Sequence, residues 1–266
     1  YHVFFQYVPD STAWAPNCHW GHATGNDLIA LDEGPGAIAP GEGDGGIWTG
    51  SLVTDDSGST RILYTSTSDP DIGMGRIRIA TPVDESWQAW TKGSFVAEAP
   101  TGHDIVAYRD PFLIHEPDGR WRMFVGAGTR AKTAMALSYT SEDLETWTYE
   151  GVALSRASST VDGVWMGALW ECPQIFEIDG SHVMVSSVWD DDVLHYAGYA
   201  VGNYRDGRFE ARAWGRLTWG PSYYAPSFFR DQDGRPCLTF WMRGVADLEA
   251  GWASAHSVPH VLTLDG

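Results

Sequence analysis

Trp170-Glu171-Cys172-Pro173-Gln174-Ile175-Phe176 opens on a bulky aromatic, sets an acid and a proline behind it, and runs on into apolar residues. An Asp179-Gly180 turn follows, and then a second run, His182-Val183-Met184-Val185. Asp-Gly between two apolar runs is the strongest short signal for a β-hairpin. The unit recurs. Tyr108-Arg109-Asp110-Pro111-Phe112-Leu113 leads through Asp118-Gly119 into the run from Trp121 to Val125. Tyr223-Tyr224-Ala225-Pro226-Ser227-Phe228-Phe229 leads through Asp233-Gly234 into the run from Cys237 to Trp241. Trp48-Thr49-Gly50-Ser51-Leu52-Val53 is a weaker copy, with Gly58 in its turn and Ile62-Leu63-Tyr64 beyond.

The openers Trp48, Tyr108, Trp170 and Tyr223 stand roughly 50 to 60 residues apart, the length of a four-stranded propeller blade with its loops. Third strands follow around Ile77 to Ala80, Met135 to Tyr139, Tyr196 to Val201 and Ala253 to Ala255, the last running into Val261 to Leu264. A fifth third strand lies at Gly21 to Thr24. The fifth second strand is Tyr1-His2-Val3-Phe4-Phe5, which aligns with Trp121 to Val125 and has no opener of its own. The repeat therefore predicts an all-β chain, a five-bladed β-propeller forming a single domain over residues 1–266 and lacking its first inner strand. The Gly/Pro-rich stretch from Glu33 to Gly46 is its most loop-like segment.

Composition narrows the partners. A net charge of -18 over 266 residues argues against nucleic acid and against an anionic membrane surface. Cys18, Cys172 and Cys237 are too few and too scattered for a disulfide framework or a zinc site and read as single buried thiols. No stretch reaches the length of a transmembrane span.

In a propeller the first strand of each blade lines the central axis, and polar residues where those strands open are candidates for a site. Just behind the aromatic, the four copies show Thr49, Arg109, Glu171 and Tyr224; one place further they show Gly50, Asp110, Cys172 and Ala225. Two copies thus place an acid at the mouth of an apolar strand, where desolvation demands a partner or a task. The alternative for each acid is a capping or turn role. Carboxylates around a funnel suit glycoside cleavage, one protonating the leaving oxygen and another attacking the anomeric carbon or activating water. Trp14, Trp20, Trp48 and Trp170 could wall in a sugar or simply pack, and Gln6 could bind hydroxyls or face solvent. Asp190-Asp191-Asp192 reads as a solvated loop rather than a calcium site, and His19 and His22 lack further metal ligands.

The set YHVFFQY, Trp14, HWGHATGNDL, WTGSL, YRDP, WECP and YYAP, in that order, resembles the glycoside hydrolase family 32-like, fructan-processing enzymes. These include invertases, inulinases, levanases and fructosyltransferases. The resemblance implies a five-bladed propeller, with a C-terminal β-sandwich in most members that this chain lacks. It implies Glu171 as general acid/base and Asp110 as the acid that holds fructose hydroxyls, with Arg109 beside it. It further implies Gln6, Trp14, Trp48 and Thr49 around the terminal fructose, and Trp241 as another aromatic near the pocket. The family nucleophile is an aspartate at the start of the first inner strand, so it is expected upstream of Tyr1. No metal and no cofactor are implied. The expected partner is sucrose or a fructo-oligosaccharide or fructan, cleaved at terminal β-fructofuranosyl linkages by retaining double displacement. The alternatives are a fructosyltransferase on the same scaffold, a non-catalytic fructan-binding propeller, and a related five-bladed glycosidase acting on arabinose-type sugars. Val8, Gln174, Thr218 and Pro221 depart from the family's usual residues. Thr218 stands where many relatives carry an acid that helps to define sucrose binding.

Overall fold

The computed structural model describes residues 1–264, and these residues form strands, turns and loops without a helix. The first sheet holds three strands in the order β1 (His2–Tyr7), β2 (His19–Thr24) and β3 (Asp32–Glu33). The second is a meander of β4 (Gly46–Thr54), β5 (Thr60–Thr67), β6 (Arg76–Pro82) and β7 (Trp90–Ala97). An eight-stranded sheet follows. Its first meander is β8 (Ile105–His115), β9 (Trp121–Thr129), β10 (Thr133–Ser141) and β11 (Thr148–Ala157). Its second is β12 (Leu169–Ile178), β13 (Ser181–Asp190), β14 (Val193–Arg205) and β15 (Arg208–Arg216), joined to the first through the pair Leu169 and Gly128. The last sheet is β16 (Tyr223–Arg230), β17 (Pro236–Asp247), β18 (Trp252–His256) and β19 (His260–Val261).

The Asp-Gly pairs fall at the hairpin turns the sequence marks. Asp179 and Gly180 both take left-handed backbone, with φ 50 and 74, whereas Gly119 and Gly234 carry the positive φ alone in their turns. One difference appears at the end. Of the run from Val261 to Leu264 only Val261 is in a strand, and β19 pairs with β17 at Cys237 and Leu238 rather than with β18. The intervening Ser257 is bound to Phe240 in both directions, its N–H donating to the Phe240 carbonyl and its hydroxyl accepting from the Phe240 N–H.

The core is divided among the interfaces between successive meanders. Leu63, Ile77 and Ile79 pack on Tyr108, Met123 and Leu137. Phe124, Ala134 and Ala136 pack on Trp170, Ile175 and Met184. Phe176, Val183 and Val185 pack on Leu238 and Phe240. Trp20 and Ile38 pack on Ile47, Ile62 and Tyr64. The strands that line these interfaces turn hydrophobic faces to one another, and full burial of each such side chain is worth about 1.5–3 kcal/mol. The first sheet also meets the last: the N–H of Gln232 donates to the Tyr1 hydroxyl at 3.2 Å, and Phe5 lies edge-on to His256.

The opening strands of four meanders are irregular at one shared place. The pairing slips between Trp48 and Gly50 in β4, Arg109 and Phe112 in β8, Glu171 and Gln174 in β12, and Tyr224 and Ser227 in β16. Each slip is a bulge, which bends its strand and re-aims side chains. Beside them β12 runs hard against β9. A Cβ on Gly126 would stand 2.3 Å from the Trp170 carbonyl oxygen and 3.0 Å from Pro173 Cδ. Backbone cannot yield there without moving Trp170 and Glu171 together. Replacing Gly126 by Ala is therefore expected to lower stability by about 1–3 kcal/mol, read from the denaturant midpoint; an unchanged midpoint would contradict the close approach of β9 and β12.

Candidate active site

The bulges build the site. In three of the four the central residue is left-handed although none is glycine: Asp110 at φ 67, Cys172 at φ 48 and Ala225 at φ 46, each followed by proline. Such a backbone costs roughly 1–2 kcal/mol per residue, so the surroundings must hold it. Three hydrogen bonds do. The Asp110 N–H donates to Thr65 Oγ1 on β5 at 2.7 Å. The Cys172 N–H donates to Asp110 Oδ2 on β8 at 2.9 Å. The Ala225 N–H donates to Ser187 Oγ on β13 at 3.0 Å. Every acceptor belongs to the meander before the donor.

The side chains just before these residues then converge. Arg109 donates through Nη2 and Nε to Glu171 Oε1 at 3.0 and 3.2 Å. The Tyr224 hydroxyl donates to Glu171 Oε2 at 2.6 Å. Glu171 thus has a cation on one oxygen and a phenol on the other, while its side chain keeps 15% exposure against 7% for Arg109. A strictly alternating strand would send Arg109 and Asp110 to opposite faces. The bulge lets both serve one site, with Arg109 on Glu171 and Asp110 on the backbone and thiol of Cys172, the Sγ lying 3.6 Å from Oδ2.

Burial dominates the electrostatics. It raises the carboxyl of Asp110 to about 6, against the pull of Arg109 and with the support of the Glu171 charge. The same burial raises the Cys172 thiol and, with Glu171 alongside, the Tyr224 phenol far above their ordinary values, so both are protonated donors at neutral pH. For Arg109 burial acts to lower the pKa, but Glu171 and Asp110 outweigh it and the guanidinium is held more firmly charged than usual.

The remaining residues expected from the sequence join this group. Gln6 Nε2 donates to Thr49 Oγ1 at 2.6 Å, and the Thr49 carbonyl accepts from the Thr65 hydroxyl that holds Asp110. The Trp48 ring lies 5.9 Å from the Arg109 guanidinium, with its indole N–H on the Pro16 carbonyl. Trp14 stands edge-on to Trp48 at 5.8 Å and is 59% exposed, a ring free to meet a ligand. The Trp241 ring is 6.5 Å from Tyr224. Gln6, Trp14, Trp48, Thr49, Arg109, Asp110, Glu171 and Trp241 therefore form one connected set.

Outside this set the open alternatives resolve. Trp20 and Trp170 are buried packing residues, their indoles donating to the Trp48 and Met166 carbonyls. Thr218 is buried, accepting from the Ala197 N–H and donating to the Tyr223 carbonyl, so its side chain pins strands and does not face a substrate. Asp190 and Asp191 pair with Lys132. Among the described residues no group of three or more His, Cys, Asp or Glu is placed to hold a metal ion. The residues missed are Tyr224, Thr65 and Ser187. Tyr224 occupies the same repeat position as Arg109 and Glu171, and that column was the available signal.

Comparison with known proteins places the chain in a family. A family model, "Glycosyl hydrolases family 32 N-terminal domain", matches residues 1–266. The chain is 30% identical to the sucrose-6-phosphate hydrolase of Bacillus subtilis, covering all of this chain and 58% of that protein. It is 26% identical to the fructan 6-exohydrolase of Beta vulgaris, covering all of this chain and 48% of that protein. The chain thus spans about half the length of these curated relatives. Among solved structures, a Bombyx mori GH32 beta-fructofuranosidase superposes with a TM-score of 0.83 at 27% identity, over all of this chain and 58% of that one.

The burial of Asp110 has a measurable consequence. Its carboxyl moves from 3.8 to about 6, so the folded state favours the neutral form. The stability this contributes is present below pH ~4 and lost as the pH rises through ~6, by roughly 3 kcal/mol. Replacing Asp110 by Asn removes the ionisation. The stability of the native protein relative to D110N should therefore fall by about 3 kcal/mol between pH 4 and pH 7, measured by denaturant unfolding; a difference independent of pH would refute it.

Proposed function

We propose, for a chain that belongs to glycosyl hydrolase family 32, that Glu171 is the proton donor and acceptor in cleavage of terminal β-fructofuranosyl linkages of sucrose or fructans. The observation that carries this is the double anchoring of its carboxyl by Arg109 and Tyr224, which fixes its direction while leaving it partly exposed. Proton transfer needs that fixed reach. In the first step Glu171 protonates the leaving oxygen; in the second it takes a proton from water and releases fructose. Asp110 has one oxygen tied to Cys172, which leaves the other for fructose hydroxyls, and Gln6, Thr49, Trp48 and Trp14 border the same place.

Retaining double displacement needs a second carboxylate that attacks the anomeric carbon as the leaving oxygen departs and is itself displaced by water in the second step. We assign that nucleophile to an aspartate N-terminal to Tyr1, beside β1. The same reading takes the meanders as blades of one five-bladed propeller over residues 1–266. Its supports are the face-to-face cores and the contact of Tyr1 with Gln232. The substrates named for similar proteins, sucrose-6-phosphate and fructan, belong to one chemical class.

Replacement of Glu171 by Gln in the full-length protein keeps the shape and removes the transferable proton. Turnover on sucrose, inulin and levan is expected to drop about 10²- to 10⁴-fold, with KM within a few-fold of native. Near-native turnover would remove Glu171 from the chemistry. Initial release of the β-anomer of fructose, seen by NMR, is the expected stereochemical outcome.

A further inference from the structure

Directly across from the last paired residue before each slip, the second strand of the meander offers one slot. The pairs are Trp48 with Thr65, Arg109 with Gly126, Glu171 with Ser187 and Tyr224 with Trp241. Two slots carry a hydroxyl. Thr65 and Ser187 are both fully buried. In both cases the hydroxyl reaches out of its own meander to the left-handed residue of the next opening strand. Thr65 spends its hydrogen on the Thr49 carbonyl at 2.9 Å, which turns an oxygen lone pair toward the Asp110 N–H. The third slot is Gly126, filled by the close approach of Trp170, and there the acceptor for the Cys172 N–H is the carboxylate of Asp110 itself.

We propose that Thr65 and Ser187 are positioning residues: each captures the N–H of a left-handed bulge residue and thereby aims the preceding side chain, Arg109 or Tyr224, at Glu171. This rests on the reading of Glu171 as the acid/base. Without the hydroxyl a buried N–H is orphaned, a loss of about 1–3 kcal/mol, and the strained backbone relaxes toward an extended form. That rotation carries Arg109 or Tyr224 off the carboxyl. Displacement by about 1 Å is enough to lower a rate by about 10²-fold. The two hydroxyls act on opposite oxygens of Glu171, so their effects are separate in origin and alike in result.

The test is made in the full-length protein with Thr65→Val and Ser187→Ala, and with Thr65→Ser and Ser187→Thr as conservative partners. For T65V and S187A, kcat is expected to fall about 10- to 100-fold with KM little changed and the acid limb of the pH–rate profile displaced. T65S should return to within about threefold of native, which a role in stability alone would not predict, because both serine and threonine supply the same acceptor. Combined with E171Q, T65V should add little further loss, since both act on one step. Additive loss, or T65V and S187A variants with native kcat and an unmoved pH profile, would overturn the proposal. Native turnover in E171Q alone would overturn the assignment of Glu171 instead. Crystal structures of T65V and S187A then decide positioning independently: Arg109 or Tyr224 is expected to leave Glu171 by about 1 Å, and unmoved side chains would refute it.

Discussion

Three backbone N–H groups hold this molecule's site together. Each belongs to a left-handed, non-glycine residue in a bulge, and each is turned out of the ladder of its own sheet. A buried N–H without a partner is costly, and a left-handed side-chain-bearing residue is strained. The structure meets both demands with one bond per bulge, from Thr65, Asp110 and Ser187. Since every bond crosses to the preceding meander, the local strain of one repeat is restrained by the packing of another. The convergence of Arg109, Glu171 and Tyr224 follows from that arrangement.

Charge within the site is shared unevenly. One buried guanidinium faces two acids, Glu171 by direct hydrogen bonds and Asp110 through space. The phenol of Tyr224 and the thiol of Cys172 add donors without adding charge, because burial keeps both protonated. One partly exposed carboxyl is oriented by a cation and a phenol, while a second is buried and keeps its proton to higher pH than a free carboxyl does. The two acids therefore meet different surroundings, one partly open and doubly anchored, the other enclosed.

Much of this was legible in the sequence. Apolar runs joined by Asp-Gly turns marked the hairpins, since the turn geometry favours those residues. Alignment of the openers placed Arg109, Asp110 and Glu171 at one level, and the resemblance supplied Gln6, Trp14, Trp48, Thr49 and Trp241. What escaped was conformation. Positive φ at Asp110, Cys172 and Ala225 leaves no mark in their identity, and the prolines behind them also suit an ordinary edge or turn. Thr65 and Ser187 were invisible for the same reason: a hydroxyl in an apolar strand reads as β-propensity, and its acceptor role exists only once a bulge of the next repeat is set against it. Tyr224 stood in the same column as Arg109 and Glu171 but drew no role, because its hydroxyl acquires a purpose only when Glu171 arrives from another meander. The hydroxyl of Thr218 is consumed by strands β14 and β16, a role its identity alone did not mark.

Gln174 shows how such a framework can be made indifferent to its medium. Its side-chain oxygen accepts from the Phe228 N–H and its amide nitrogen donates to the Pro226 carbonyl, so one residue stitches β12 to β16 in both directions. A carboxylate in that place could receive the first bond but could not return the second unless protonated. With an amide, the seam behind Glu171 neither gains nor loses a proton when the surroundings turn acidic. The acid/base step proposed for Glu171 can follow the pH while this seam behind it does not.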